Sequence, residues 1–220
     1  MNSKRFLPKF PSAFSLVEML IVLSVLGILF AVAAPNLFSL MQSSSLTSEG
    51  SLLRNKLTQA QQIALSKNAD VEVRFYKMQD PSAAELEEQF RGFQFFQFNA
   101  EGQLEPVTQF FRIKPPVIIS ERYSTLLNPS SNKDRAGEKY GFISPSEGTA
   151  EVPISGGVEN VDYVSFRFRP DGSTDLPGRA GGDTWYLTLV QGNDLATGLP
   201  TNFYIVQVDP FNGRVSVFRP

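Results

Sequence analysis

Residues 14–34 form one apolar run, broken only by Ser15, Glu18, Ser24 and Gly27. As a helix rising about 1.5 Å per residue, such a run spans roughly 31 Å, close to a hydrocarbon core of about 30 Å. A helix that is apolar on every side is a membrane span or the centre of a large core. Glu18 lies five residues into the run. A carboxylate near the bilayer centre costs roughly 2.5–3.5 kcal/mol on insertion scales, so such residues are rare and are normally paired. The run contains no basic side chain to pair with Glu18.

The flanks orient the segment. Lys4, Arg5 and Lys9 precede it and no acid does, so the positive-inside rule leaves the N-terminus cytoplasmic and sends the C-terminal domain outward. Ser24 and Gly27 are small and permit close helix packing. Pro35 removes a backbone donor and disfavours helix at the residue before it, so a kink or break is expected there, with helix resuming afterwards. Three plainer readings compete. Ala31-Val32-Ala33 resembles a signal peptidase site that would leave Ala34 as the new N-terminus, but the run is long and Glu18 interrupts its start. An uncleaved anchor with Glu18 at the interface costs little. A buried soluble helix is disfavoured by the length of the run.

The order is a short basic leader ending in Ala13, then Phe14, then Glu18 four positions on, then about 16 apolar residues and Pro35. This resembles the class III signal of type IV prepilins and pseudopilins, with Ala13 where Gly is more usual. The resemblance covers the first sixth of the chain. It implies cleavage between Ala13 and Phe14 by a membrane prepilin peptidase and N-methylation of Phe14. It also implies that Glu18 neutralises the Phe14 amine of a neighbouring subunit during assembly. Two opposite charges, each costly in lipid, cost less as a pair. The implied location is the bacterial inner membrane, single-pass, with the C-terminal domain periplasmic. The implied partners are other pilin or pseudopilin subunits and an assembly platform.

Residues 36–67 read as a continuing helix with one apolar stripe of Leu46, Leu53, Leu57, Ala60 and Ala64. Its end is marked by Asn68, a residue tolerated in a left-handed cap. A helix laid on a sheet fits this better than a coiled coil, since ordered flanking charges are lacking. Strands are expected at 71–76, 93–98, 108–113, 117–119, 161–168, 185–190, 203–208 and 215–218. Residues 79–91 read as a polar loop or short helix. Residues 128–160 read as long loops around a short strand near 140–143, and a bulge is expected within 161–168. A turn is expected at 169–173 and a flexible glycine-rich loop at 178–182. Asn212-Gly213 between two β-rich runs is a hairpin signal, both residues supplying φ > 0. Helix, Asn68 and first strand, then the Phe168–Gly172 turn and terminal Asn-Gly-Arg hairpin, are similar to pseudopilins of the minor H and FimT type. Pilin-like proteins of the Verrucomicrobia-type cassette families share this look.

Composition narrows the chemistry. With no His and no Cys, Ser-His-Asp and Cys-His catalysis, disulfides and Cys/His zinc sites are all excluded. The 178–182 loop lacks the Lys-Ser/Thr of a phosphate loop. Asp171, Asp175, Asp183 and Asp194 lack EF-hand spacing and read as solvated loop acids; so do Glu85, Glu87 and Glu88. Arg167, Arg169, Arg179, Arg214 and Arg219 fall late in the chain, but acids are interleaved among them. Without residues 1–13 the chain holds 17 basic and 22 acidic side chains, which does not favour nucleic acid.

The expected fold is α+β, a long N-terminal helix packed on an antiparallel sheet. The expected segments are a leader at 1–13, a membrane and assembly helix at 14–35, an amphipathic helix at 36–70, and a β-rich domain at 71–220 with long loops at 77–160. The expected function is a structural pilin-like subunit of a type II secretion pseudopilus or type IV pilus-like filament, with no enzymatic activity and no cofactor. The alternative is a membrane-tethered module capturing DNA or a surface polymer, with Arg214 and Arg219 as its contacts.

Overall fold

A computed structural model of the chain describes residues 15–79, 88–99, 101–128, 145–154, 157–178, 184–192 and 200–220, without the side chains of 32–40, 42 and 154. The chain divides into two compact units, Met1–Met41 and Gln42–Pro220. One helix, α1, covers Leu16–Lys67. Ten strands follow among the described residues: β1 Val71–Met78, β2 Gln89–Phe98, β3 Leu104–Pro106, β4 Phe111–Arg112, β5 Val117–Ser120, β6 Ser146–Ile154, β7 Gly157–Phe168, β8 Trp185–Gln191, β9 Tyr204–Val208 and β10 Val215–Phe218. The expected α+β class is what forms.

Both ends of α1 are explained by local chemistry. Ser15 stands just before the first helical residue and its Oγ accepts the Glu18 amide at 3.1 Å, the N-cap arrangement. At the other end Asn68 takes φ 50° and the Ala69 amide reaches back to the Ala64 carbonyl at 3.3 Å. This is the Schellman closure that the Asn signalled. The break expected at Pro35 does not occur, because α1 continues through it. Proline removes one donor, and a helix with many bonds on either side tolerates the loss.

Within the second unit, the expected stripe is the core face of α1. Leu46, Leu53, Leu57, Ala60 and Ala64 are all fully buried. They join Val71, Val73 and Phe75 of β1, Phe93 and Phe95 of β2, Phe166 and Phe168 of β7, and Trp185, Leu187 and Leu189 of β8 in one cluster. The aromatic wealth of the sequence is spent here. Phe93 and Phe111 stack at 5.2 Å, and Phe166 meets Phe168 edge-on at 5.1 Å, geometries that add to plain burial. The sheet is antiparallel, ordered β10-β9-β8-β5-β2-β1-β7-β6, with β3 and β4 on β2.

Several expectations are corrected. Residues 146–168, assigned in part to loops by sequence, form the β6–β7 hairpin, paired in unbroken register from Ser146↔Ser165 to Ile154↔Gly157. The acids, Gly and Pro that suggest a loop guard an exposed edge strand instead. No bulge interrupts β7; the register shift lies in the β1–β2 pairing, where Arg91 of β2 is the extra residue opposite Tyr76/Lys77. Only Phe111–Arg112 of the expected 108–113 strand is in the sheet. Residues 80–87, 129–144, 179–183 and 193–199 lie outside the described residues, and with them the 140–143 strand, most of the glycine-rich loop, Glu85, Glu87, Arg179, Asp183 and Asp194.

Candidate functional site

The first turn of α1 carries the site singled out by the sequence. Ala13 and Phe14 lie outside the described residues, so the geometry begins at Ser15. Ser15-Leu16-Val17-Glu18 is a serine followed three residues later by glutamate, the capping-box spacing. The Ser15 hydroxyl accepts the Glu18 amide, and the Ser15 carbonyl accepts the Met19 amide at 3.2 Å. Glu18 thus occupies the third helical position, where a negative charge is favoured by the helix dipole. The sequence reading missed Ser15, although the S-x-x-E pattern was there to find it.

Beyond that turn, every described side chain from Ser15 to Ala31 is exposed, including Leu16 at 81% and Phe30 at 70%. A soluble surface helix hides one apolar face; this one hides none. Ser24 Oγ donates to the Leu20 carbonyl at 2.7 Å, so the hydroxyl is satisfied within its own helix and needs no water. A Cβ built at Gly27 would meet nothing within 4 Å, which leaves an open notch three residues from Ser24. Pro35 is helical, and its side chain lies outside the described residues. Among the described residues no helix is long and apolar enough to cross a membrane. The described side chains of this segment stop at Ala31, whereas the apolar run of the sequence reaches Ala34.

The remaining candidates are not gathered into a site. Asp171 accepts the Ser173 amide at 2.9 Å and the Ser173 hydroxyl at 2.6 Å, and these bonds hold its carboxyl below the usual range. Asp175 accepts the Arg167 amide at 2.7 Å. Both are turn-forming acids, and among the described residues no group of acids could hold a metal ion. Arg167 Nε pairs at 3.2 Å with Glu72, which also binds Arg74 at 2.6 Å. Arg219 donates to the Ser43 carbonyl at 3.2 Å and to Asn202, fastening the chain end to α1. Arg167 and Arg219 thus serve separate structural contacts.

The hairpin turn at 209–214 differs from expectation in one residue. Gly213 takes φ 63°, while Asn212 keeps negative φ. The Gly213 amide donates to the Asp209 carbonyl at 2.9 Å and the Asp209 amide to the Arg214 carbonyl at 3.0 Å. That is a glycine bulge closing a longer turn rather than a two-residue one. Gln61 of α1 locks it, its Nε2 donating to Asn212 O at 2.8 Å and Gly172 O at 3.0 Å.

No curated protein sequence matches the chain. Among solved structures, the minor pseudopilin EpsH from the type 2 secretion system of Vibrio cholerae is similar, with 9% identity and a TM-score of 0.41, covering 80% of this chain and 98% of that one. The type IV minor pilin FimU of Pseudomonas aeruginosa is similar at 10% identity and a TM-score of 0.42, covering 80% and 93%. Likenesses this loose carry no weight for function. The match at the N-terminus is of another kind: residues 11–34, with Ala13, Phe14 and Glu18 among them, carry the prokaryotic N-terminal methylation motif.

Proposed function

We propose that the chain is a structural pilin-like subunit, exported and anchored by its N-terminal segment and assembled into a type II secretion pseudopilus or a type IV pilus-like filament. The observation that carries this is the methylation motif at residues 11–34. The exposed, all-apolar face of the described segment supports it, because such a surface needs lipid or other helices around it. In this reading a prepilin peptidase cuts between Ala13 and Phe14, and Phe14 is N-methylated. Lys4, Arg5 and Lys9 hold the N-terminus on the cytoplasmic side, and the sheet domain faces the periplasm. The partners are other pilin-like subunits and the assembly platform, and the subunit performs no chemistry itself.

Glu18 then has two roles to separate. It sits at the third helical position, its amide capped by Ser15, and in the assembled filament its charge pairs with the Phe14 amine of a neighbour. Glu18→Gln keeps a capping-competent side chain and removes the charge. Membrane insertion of Glu18→Gln and Glu18→Ala is expected to match the wild type, with incorporation into sheared or cross-linked filaments lost in both. Normal assembly of Glu18→Gln would reduce Glu18 to a cap.

A further inference from the structure

The two edges of the sheet are built differently. β6 carries exposed Glu147, Glu151 and Pro153, the charges and proline that natural edge strands use to refuse further pairing. β10 reads Val215-Ser216-Val217-Phe218, with no charge and no proline inside it. Val217 is 47% and Phe218 57% exposed, and among the described residues no strand pairs with the outer side of β10.

The hydrogen-bond phase of β10 is set by the glycine bulge. Arg214 bonds Asp209, and bonded pairs alternate along an antiparallel ladder. In the observed register Ser216↔Gln207 and Phe218↔Ile205 are therefore the bonded pairs. Val215 and Val217 turn their N–H and C=O groups away from β9, toward the open edge. The ends of the strand are basic: Arg214 is exposed, and Arg219 is held by the neutral partners Ser43 and Asn202. Residues 210–220 contain no acidic side chain.

We propose that β10 is a strand-addition edge. An extended segment of a different subunit, apolar at alternate positions and acidic at its ends, pairs with residues 214–219 and prolongs the sheet. Main-chain bonds to Val215 and Val217 supply affinity, and the flanking arginines select carboxylates. A second copy of β10 is a poor occupant, since residues 210–220 of two copies bring only arginines and no acidic side chain to the shared edge. This edge pairs in the same way whether or not residues 1–13 are removed.

The test uses the full chain in detergent micelles and a fluorescent synthetic nonapeptide of alternating valine and threonine with two acidic residues at each end. Saturable binding is expected, weakened about tenfold or more by Val217→Pro, which removes an outward donor without touching the β9 ladder, and likewise by Arg214→Glu. A peptide with lysines at its ends should bind at least about tenfold more weakly. Hydrogen exchange should show the Val215 and Val217 amides slowed by the peptide, a readout that does not depend on any variant folding. Absence of binding, equal binding of the lysine-ended peptide, or unchanged exchange at Val215 and Val217 would each overturn the proposal.

Discussion

Glu49 is the residue least at ease in the sheet domain. It lies on α1, is 5% exposed, accepts the Lys114 amide, and leaves Oε2 without a partner. Burial raises its pKa above the ordinary 4.5, and Lys114 only partly offsets that. A carboxyl whose folded pKa is raised contributes stability in full below its unfolded value, and that contribution is lost as pH rises through the folded value. Thermal melts from pH 4 to 7 should show the wild type losing ground to Glu49→Gln as pH rises. The opposite trend would mean that Glu49 is stabilised as an anion. Gly213 is the second sensitive position. A Cβ there would lie 2.3 Å from Gly172 O and 2.7 Å from Gln61 Nε2, at φ 63°. Gly213→Ala should cost about 2–4 kcal/mol in chemical denaturation, left-handed strain and overlap together. Gln61→Ala, which leaves two carbonyls without their shared donor, should cost about 1–2 kcal/mol.

At the scale of elements, α1 and the sheet were unequally legible. The Leu46–Ala64 stripe could be read because each residue faces a single sheet, and one apolar face leaves a clear helical period. Leu53→Ala is expected to cost about 2–5 kcal/mol, as removal of a fully buried leucine does. Gly50 would ordinarily be improved by Ala in a helix, by roughly 1 kcal/mol. Here a Cβ would meet the Tyr204 ring at 2.4 Å, so Gly50→Ala should destabilise in urea titration. The β6–β7 hairpin was hidden because its guarding residues, Glu147, Glu151 and Pro153, have the composition of a loop. The turn at 209–214 was found but given the wrong geometry, because Asn-Gly signals φ > 0 at both residues and the Asp209 bonds need it only at Gly213. The Ser15 cap is hard to read because an apolar run surrounds it, in which a hydroxyl also fits as a small residue inside a span.

At the scale of the whole molecule, strand order is the part no local signal encodes. β1 lies between β2 and β7, and β5 between β2 and β8, pairings that span up to 97 residues in Val71↔Phe168 and leave no trace in sequence periodicity. The order matters because it leaves β6 and β10 as edges, one guarded and one bare. The N-terminal segment is the reverse case. Its message lies in spacing, from Ala13 and Phe14 to Glu18 and Pro35, and residues 11–34, which hold all of these but Pro35, carry the methylation motif. Processing between Ala13 and Phe14, proposed above, makes Phe14 the charged N-terminus. Mass spectrometry of the N-terminal peptide from membrane-purified protein tests it directly. The expected result is a chain beginning at N-methylated Phe14; an intact Met1, or a chain beginning at Ala34, would contradict it.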